Sequence, residues 1–169
     1  MRNIVLCGFM GCGKTTVGHL LAEKTGRRFV DMDAYIEEKA GMDIPSIFRQ
    51  YGEADFRRRE QAACRELAGQ ENLVIATGGG ALTNPLNAAV LAETGDVVYL
   101  TVSPETVLRR LSGDTTRPLL ARPDREAAVR ELLAARDPLY RRAASLTADG
   151  ELPPAQAAEA IARLTSGCR

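Results

Sequence analysis

The sequence predicts an α/β chain in which a parallel sheet is covered by helices on both faces. Three observations carry that prediction. Apolar runs of about four residues recur without polar alternation, which suits strands buried on two sides. Segments of helical periodicity lie between them, so strand and helix alternate along the chain. The first apolar run ends in a glycine-rich turn that opens a helix.

Taken in order, Ile4-Val5-Leu6-Cys7 is the first predicted strand, ending at Gly8. A helix follows over about Lys14 to Lys24, with Val17, Leu20 and Leu21 on one face and Gly26 just past its end. Arg28 to Asp31 reads as the second strand. Asp33–Ala40, Ile44–Tyr51 and Glu53–Leu67 read as helices punctuated by Gly41 and Gly52. Leu73 to Ala76 is a third strand running into Thr77-Gly78-Gly79-Gly80. Pro85–Glu93 is helical, Val97–Val102 a strand, and Pro104–Leu111 a helix with proline in its first turn. Ser112 to Asp124 is irregular and polar. Helices over Arg125–Tyr140 and Pro154–Leu164 flank a weak strand near Ser145–Ala148. Ligands on such sheets bind beyond the carboxyl ends of the strands.

Composition narrows the function. The 169 residues make one domain, with no repeat, linker or composition break. At 45% hydrophobic and 26% charged, the chain falls in the ordinary globular class. No apolar run has the length of a membrane span, and the apolar stretch after Met-Arg-Asn is too short for a signal peptide. A cytoplasmic, soluble protein is therefore expected. Lys plus Arg equals Asp plus Glu at 22 each, so no net field attracts a polyanion, and at 5% the aromatics are too sparse for a base-stacking platform. Nucleic acid and membrane are thus not expected as partners. Cys7, Cys12, Cys64 and Cys168 show no CxxC spacing, and His19, the one histidine, reads as a surface residue of the first helix. A zinc site is not expected, and scattered thiols suit a reducing compartment.

Gly8-Phe9-Met10-Gly11-Cys12-Gly13-Lys14-Thr15 meets GxxxxGK[ST] at every fixed position, after a strand and before a helix. Glycines let successive backbone N–H groups turn inward around phosphate oxygens, and the helix N-terminus adds its partial positive charge. Lys14 supplies a compact cation for the terminal phosphates and Thr15 a hydroxyl for Mg²⁺. Gly11, Cys12, Gly13, Lys14, Thr15 and Thr16 are therefore the candidate nucleoside-triphosphate contacts. A guanine-reading [NT]KxD element is absent, since the three lysines stand in Gly-Lys-Thr, Glu-Lys-Thr and Glu-Lys-Ala contexts. Small-molecule phosphoryl transfer remains, and it requires an acceptor pocket and a lid that excludes water.

Asp31 and Asp33 have i,i+2 spacing at the end of the second strand, which aims both carboxylates one way while the backbone stays extended. One would face Mg²⁺ and the other an acceptor hydroxyl; the plain alternative is a turn in which Asp33 caps the next helix. Of Arg57-Arg58-Arg59, at most one or two can face a single pocket, because adjacent helical residues fan across a wide arc. Gly78, Gly79 and Gly80 would let backbone amides approach a ligand, or form only a flexible loop before the Asn84-Pro85 helix start. Ser112–Asp124, with Gly113, Pro118 and Pro123 and with Arg117 and Arg122, has the make-up of a lid carrying an arginine for the phosphates, or of a plain surface loop. Spacing alone does not select Arg136.

Together these pieces resemble shikimate kinase over nearly the whole chain. The resemblance rests on GFMGCGKTT (Gly8–Thr16), FVDMD (Phe29–Asp33), Ile47-Phe48, GEADFRRRE (Gly52–Glu60), TGGG (Thr77–Gly80), RPLL (Arg117–Leu120) and RDPLYRR (Arg136–Arg142). It implies a P-loop NTPase-type three-layer fold, with a five-stranded parallel sheet, a lid at about 112–124 and an acceptor-binding segment at about 33–60. It implies ATP as phosphoryl donor, shikimate as acceptor at its 3-hydroxyl, Mg²⁺ as cofactor, a monomeric state and a place in aromatic amino-acid biosynthesis. By the same resemblance Asp33 holds and activates the acceptor hydroxyl, Arg57 and Arg136 grip its carboxylate, and Gly79 contacts it through the backbone. Arg117 is the lid arginine, Asp31 the carboxylate near Mg²⁺ through water, and Arg110 a residue stacking near adenine. Cys12 stands where the family more often has Ala or Ser, which would put an oxidation-sensitive thiol in the loop. A gluconate kinase, or a nucleotide-binding regulatory domain without transfer chemistry, are the competing readings.

Overall fold

In the computed structural model, residues 1–112 and 122–167 are described. Five strands pair in parallel in the order β2-β3-β1-β4-β5: β1 (Asn3–Cys7), β2 (Arg28–Asp31), β3 (Leu73–Ala76), β4 (Gly95–Thr101) and β5 (Leu146–Asp149). Register is set by Val5 opposite Ile75 on one side and Val97 on the other. Of the three interior strands, β1 and β3 are buried at every position, as their apolar runs suit, and β4 at all but Asp96 and Thr101. The edge strands β2 and β5, with sequences RFVD and LTAD, are less buried, with Arg28, Thr147 and Asp149 exposed. That placement is why the fifth strand is faint in the sequence.

Around the sheet run α1 (Lys14–Thr25), α2 (Met32–Ala40), α3 (Ile44–Tyr51), α4 (Glu53–Ala68), a 3₁₀ turn (Ala81–Thr83), α5 (Pro85–Thr94), α6 (Pro104–Arg110), α7 (Arg125–Ala143) and α8 (Pro154–Ser166). α1 packs on α8, while α4 packs on α5 and α5 on α7, giving helical layers on the two sides. Between them Ile4, Leu6, Ile75, Val98 and Leu100 are fully enclosed, with Tyr99 and Tyr140 the largest buried side chains. Among the described residues no helix is long and apolar enough to cross a membrane.

The helix boundaries differ from the sequence expectation in two informative places. α2 begins at Met32, one residue early, because the Asp31 carboxylate accepts from the N–H groups of Asp33 and Ala34 and caps the helix at that point. α7 continues through Pro138 to Ala143 because Tyr140 is fully buried and anchors the last turn in the core. Packing there outweighs the hydrogen bond that the proline removes. The chain leaving β1 turns towards β2, and the chain leaving β3 turns towards β4 on the other side. The crevice between β1 and β3 is thus the switch point of the sheet.

Candidate active site

A cleft of about 630 Å³ opens at that switch point, lined by the turn after β1, the start of α2, Ile44 and Phe48 of α3, one face of α4, the turn after β3 and Arg136 of α7. A second hollow, of about 720 Å³, lies at the opposite, amino-terminal edge of the sheet. Its charges largely neutralise one another: Arg2 pairs with Asp96 at 3.1 Å, and Lys24 and Arg163 both pair with Glu159. Only the first cleft gathers the chemistry expected from the sequence.

At one end of it is the glycine turn. Gly11 and Gly13 have φ of 75° and 92°, which side-chain-bearing residues rarely adopt. A Cβ on Gly8 would lie 2.7 Å from the Leu100 carbonyl oxygen, so the turn can lie this close to β4 only with glycine there. No side chain caps α1. Its first N–H groups are therefore available to an anion. The Lys14 ammonium donates to the carbonyl oxygens of Gly8 (2.6 Å) and Phe9 (3.2 Å), bending back over the loop. Thr15 and Thr16 are exposed beside it. Cys12 is 1% exposed, with its sulfur 3.6 Å from Lys14 Nζ, so the expected oxidation-sensitive thiol is instead shielded by packing. The other described thiols, Cys7 and Cys64, are pushed up to about 12 by burial and are inert.

Arg110 does not line the cleft. It donates to the carbonyls of Gly11 (2.9 Å) and Gly150 (2.8 Å), and so ties the phosphate turn to the segment after β5. Arg117 and most of the expected lid, residues 113–121, lie outside the described residues. Of the flanks, Arg122 pairs with Asp124 at 2.8 Å.

Asp31 and Asp33 both line the cleft, but not by the route expected. The backbone is extended at Asp31 and already helical at Asp33, so no continuous strand aims the two carboxylates together. Asp31 is the helix cap, not Asp33, and Asp33 enters the cleft from the first turn of α2.

The far end is assembled from three elements. Gly78, Gly79 and Gly80 form a floor, and a charged side chain rests on each. An added Cβ would lie 2.6 Å from Asp33 Oδ1 at Gly78, 3.3 Å from Arg136 Nη1 at Gly79 and 2.8 Å from Arg57 Nη1 at Gly80. The glycines let these side chains lie directly against the backbone; a Cβ there would push them aside, and none of the three has a positive φ. Of the arginine triplet only Arg57 lines the cleft, while Arg58 and Arg59 turn outward to Asp55. Arg136 also stacks 5.9 Å above the Phe9 ring, linking the two ends.

Three residues of this end stand in the motifs quoted from the sequence but were given no role there. Glu60 is 2% exposed and accepts from Arg57 Nη1 at 2.9 Å; burial raises its carboxyl above the ordinary range, with Arg57 opposing. The available signal was its place on the apolar stripe of α4, between Phe56 and Cys64. Phe48 lines the cleft with its ring 5.0 Å from that of Phe56, forming an apolar wall. Tyr140 donates its hydroxyl to the Gly79 carbonyl from beneath the floor. His19 is exposed as expected, lying against Phe29 at 3.9 Å. Among the described residues no cluster of three or more His, Cys, Asp or Glu could hold a metal ion alone.

Comparison with known proteins bears on this geometry. Residues 10–165 match the family described as shikimate kinase. A shikimate kinase of Stenotrophomonas maltophilia is 50% identical over 162 residues, covering 96% of this chain and 89% of its own. The solved structure of a shikimate kinase from Acinetobacter baumannii in complex with shikimate superposes with a TM-score of 0.92 at 44% identity, covering 100% of this chain and 95% of that one. A gluconokinase from Sinorhizobium meliloti shares the fold alone, at 19% identity and a TM-score of 0.60 over 99% of this chain and 95% of its own. With the family matched from the phosphate turn to the last helix, and with one cleft joining that turn to a carboxylate-and-arginine floor, this chain belongs to the shikimate kinase family.

Proposed function

We propose that the cleft transfers the γ-phosphoryl group of ATP to the 3-hydroxyl of shikimate, with the phosphates on the Gly8–Thr16 turn and the acceptor on the glycine floor. The observation that carries this reading is the convergence of Asp33, Arg57 and Arg136 on Gly78–Gly80, in the same cleft as Lys14. The neighbour whose complex holds shikimate supports that choice of acceptor over gluconate.

Phosphoryl transfer is mainly positioning and charge stabilisation. Arg57 and Arg136 hold the acceptor carboxylate from two sides, and two guanidinium forks fix a planar anion in orientation as well as place. Glu60 restrains Arg57 and lowers the net positive charge of the grip. Asp33 accepts from the acceptor hydroxyl and aligns it with the γ-phosphorus; in a loose transition state the proton leaves late, so orientation is its larger role. Lys14 stabilises charge on the transferring group, and Arg117 does so from the lid. Phe48 and Phe56 give the acceptor ring an apolar wall and keep water from the phosphoryl group.

A hydroxyl at Thr15 and a carboxylate at Asp31, facing one cleft without a metal cage, fit a Mg²⁺ that arrives on nucleotide phosphates. Thr15 would hold it directly and Asp31 through water, and the bound ion would offset charge on the phosphate oxygens. The enzyme acts as a cytoplasmic monomer on this reading.

Coupled ADP release with Mg-ATP tests it, comparing shikimate, gluconate and no acceptor. A rate stimulated strongly by shikimate alone is expected. Equal stimulation by gluconate, or none by either acid with ATP binding intact, would overturn the acceptor assignment and leave the phosphate site standing.

A further inference from the structure

Tyr140 is 0% exposed and lies one helical turn beyond Arg136 on α7, beneath the glycine floor. Each floor carbonyl is engaged by the protein. That of Gly78 accepts from Ala81 N–H at 3.1 Å, that of Gly79 from the Tyr140 hydroxyl, and that of Gly80 from the Thr83 N–H (3.3 Å) and hydroxyl (2.6 Å). Among the described residues no acceptor takes the N–H groups of Gly78, Gly79 or Gly80. A trans peptide holds its C=O and N–H in opposite directions, and among the described residues there is no cis bond. The bond from Tyr140 to the Gly79 carbonyl therefore turns the N–H of the same peptide, that of Gly80, away from the buried ring. Gly80 lines the cleft beside Arg57.

We propose that Tyr140 is a positioning residue for the acceptor: it holds the Gly79–Gly80 peptide of the glycine floor with the Gly80 N–H presented to the cleft, and, by sharing α7 with Arg136 at i,i+4, it sets the spacing between that donor and that guanidinium. The proposal rests on the acceptor reading of this end of the cleft. One rigid helix then carries both the cation that touches the acceptor and the hydroxyl that orients the floor beneath it. Burial pushes the Tyr140 hydroxyl up to about 12, with Arg136 opposing, so it remains a donor throughout the working range. The neighbouring Tyr99, whose ring lies 5.2 Å away, donates to Asp137 at 2.7 Å instead and supplies a matched control.

The test is steady-state kinetics of Tyr140→Phe, which removes the hydroxyl and keeps the ring. The expected result is a shikimate KM raised about 5- to 20-fold, as for one lost buried hydrogen bond, with the ATP KM within about twofold. Tyr99→Phe should keep its shikimate KM within about twofold. An unchanged shikimate KM in Tyr140→Phe overturns the proposal, as does a parallel rise for ATP or an equal rise in Tyr99→Phe, since either marks a loosened core. Arg136→Ala separates the two levels of inference. If its shikimate KM is normal, the acceptor reading falls and takes the proposal with it. If its KM is raised while that of Tyr140→Phe is normal, only the proposal falls.

Discussion

The two ends of the cleft are built by opposite means. The proposed phosphate end comes from one contiguous stretch, Gly8 to Thr16, whose helix start has no side-chain cap and whose residues 10–16 line the cleft. The acceptor end comes from side chains on α2, α4 and α7 that meet over a turn after β3, separated by up to about a hundred positions in sequence. A backbone site of the first kind is a local property and needs little from the rest of the fold. A side-chain site of the second kind exists only when several elements pack correctly. The acceptor end should therefore be the part that substitution can remove selectively.

The largest expected effect tests that separation directly. Asp33→Asn should lower kcat by about 100-fold or more, the range for a group that aligns the reacting hydroxyl and takes its proton late, while equilibrium titration finds ATP affinity nearly unchanged. Near-normal turnover would show that the acceptor end is not organised around Asp33. Next in size is Arg136→Ala, which removes a charge-assisted bond worth about 1.5–3 kcal/mol, equivalent to roughly a 10- to 150-fold rise in acceptor KM. An equal rise in the KM for ATP would break the division, because Arg136 also touches Phe9 of the phosphate turn.

The smallest effect sharpens the comparison from the nucleotide side, where Glu151 holds the segment after β5 against α6. Its carboxylate accepts from the Ser103 N–H (3.2 Å) and from the hydroxyls of Ser103 and Thr106 (both 2.6 Å), and these bonds lower it from 4.5 to about 2. The folded form therefore holds this proton less tightly than the unfolded chain, so the stabilisation is complete above about pH 4.5 and is lost as pH falls towards 2. Glu151→Gln should lower the melting temperature at neutral pH, and its gap from the parent should close across that window. A gap that is constant with pH would show that the carboxylate charge contributes nothing.

Most secondary elements could be read from the chain because their signals are local. β1 and β3 are continuous apolar runs, and Gly26, Gly41 and Gly52 stop helices wherever the chain then packs. The start of α2 could not, since the spacing of Asp31 and Asp33 suits a strand end and a helix cap equally; hydrogen bonds to the Asp31 carboxylate decide between them. Glu60 looked like one more charge in an arginine-rich helix until α4 turned it inward to Arg57. Tyr140 looked like an ordinary core aromatic, and its bond to Gly79 spans 61 positions.

By itself, then, the sequence determined the alternation of strand and helix, the phosphate turn and the family, because glycine geometry, helix starts and motif order are properties of neighbouring residues. Only the tertiary structure decided which arginine of three lines the cleft, which carboxylate caps and which reaches in, and that charged side chains close over the three glycines. Those choices depend on the rotation of α2, α4 and α7 against the sheet, which packing of the buried faces sets and which no short stretch of chain encodes.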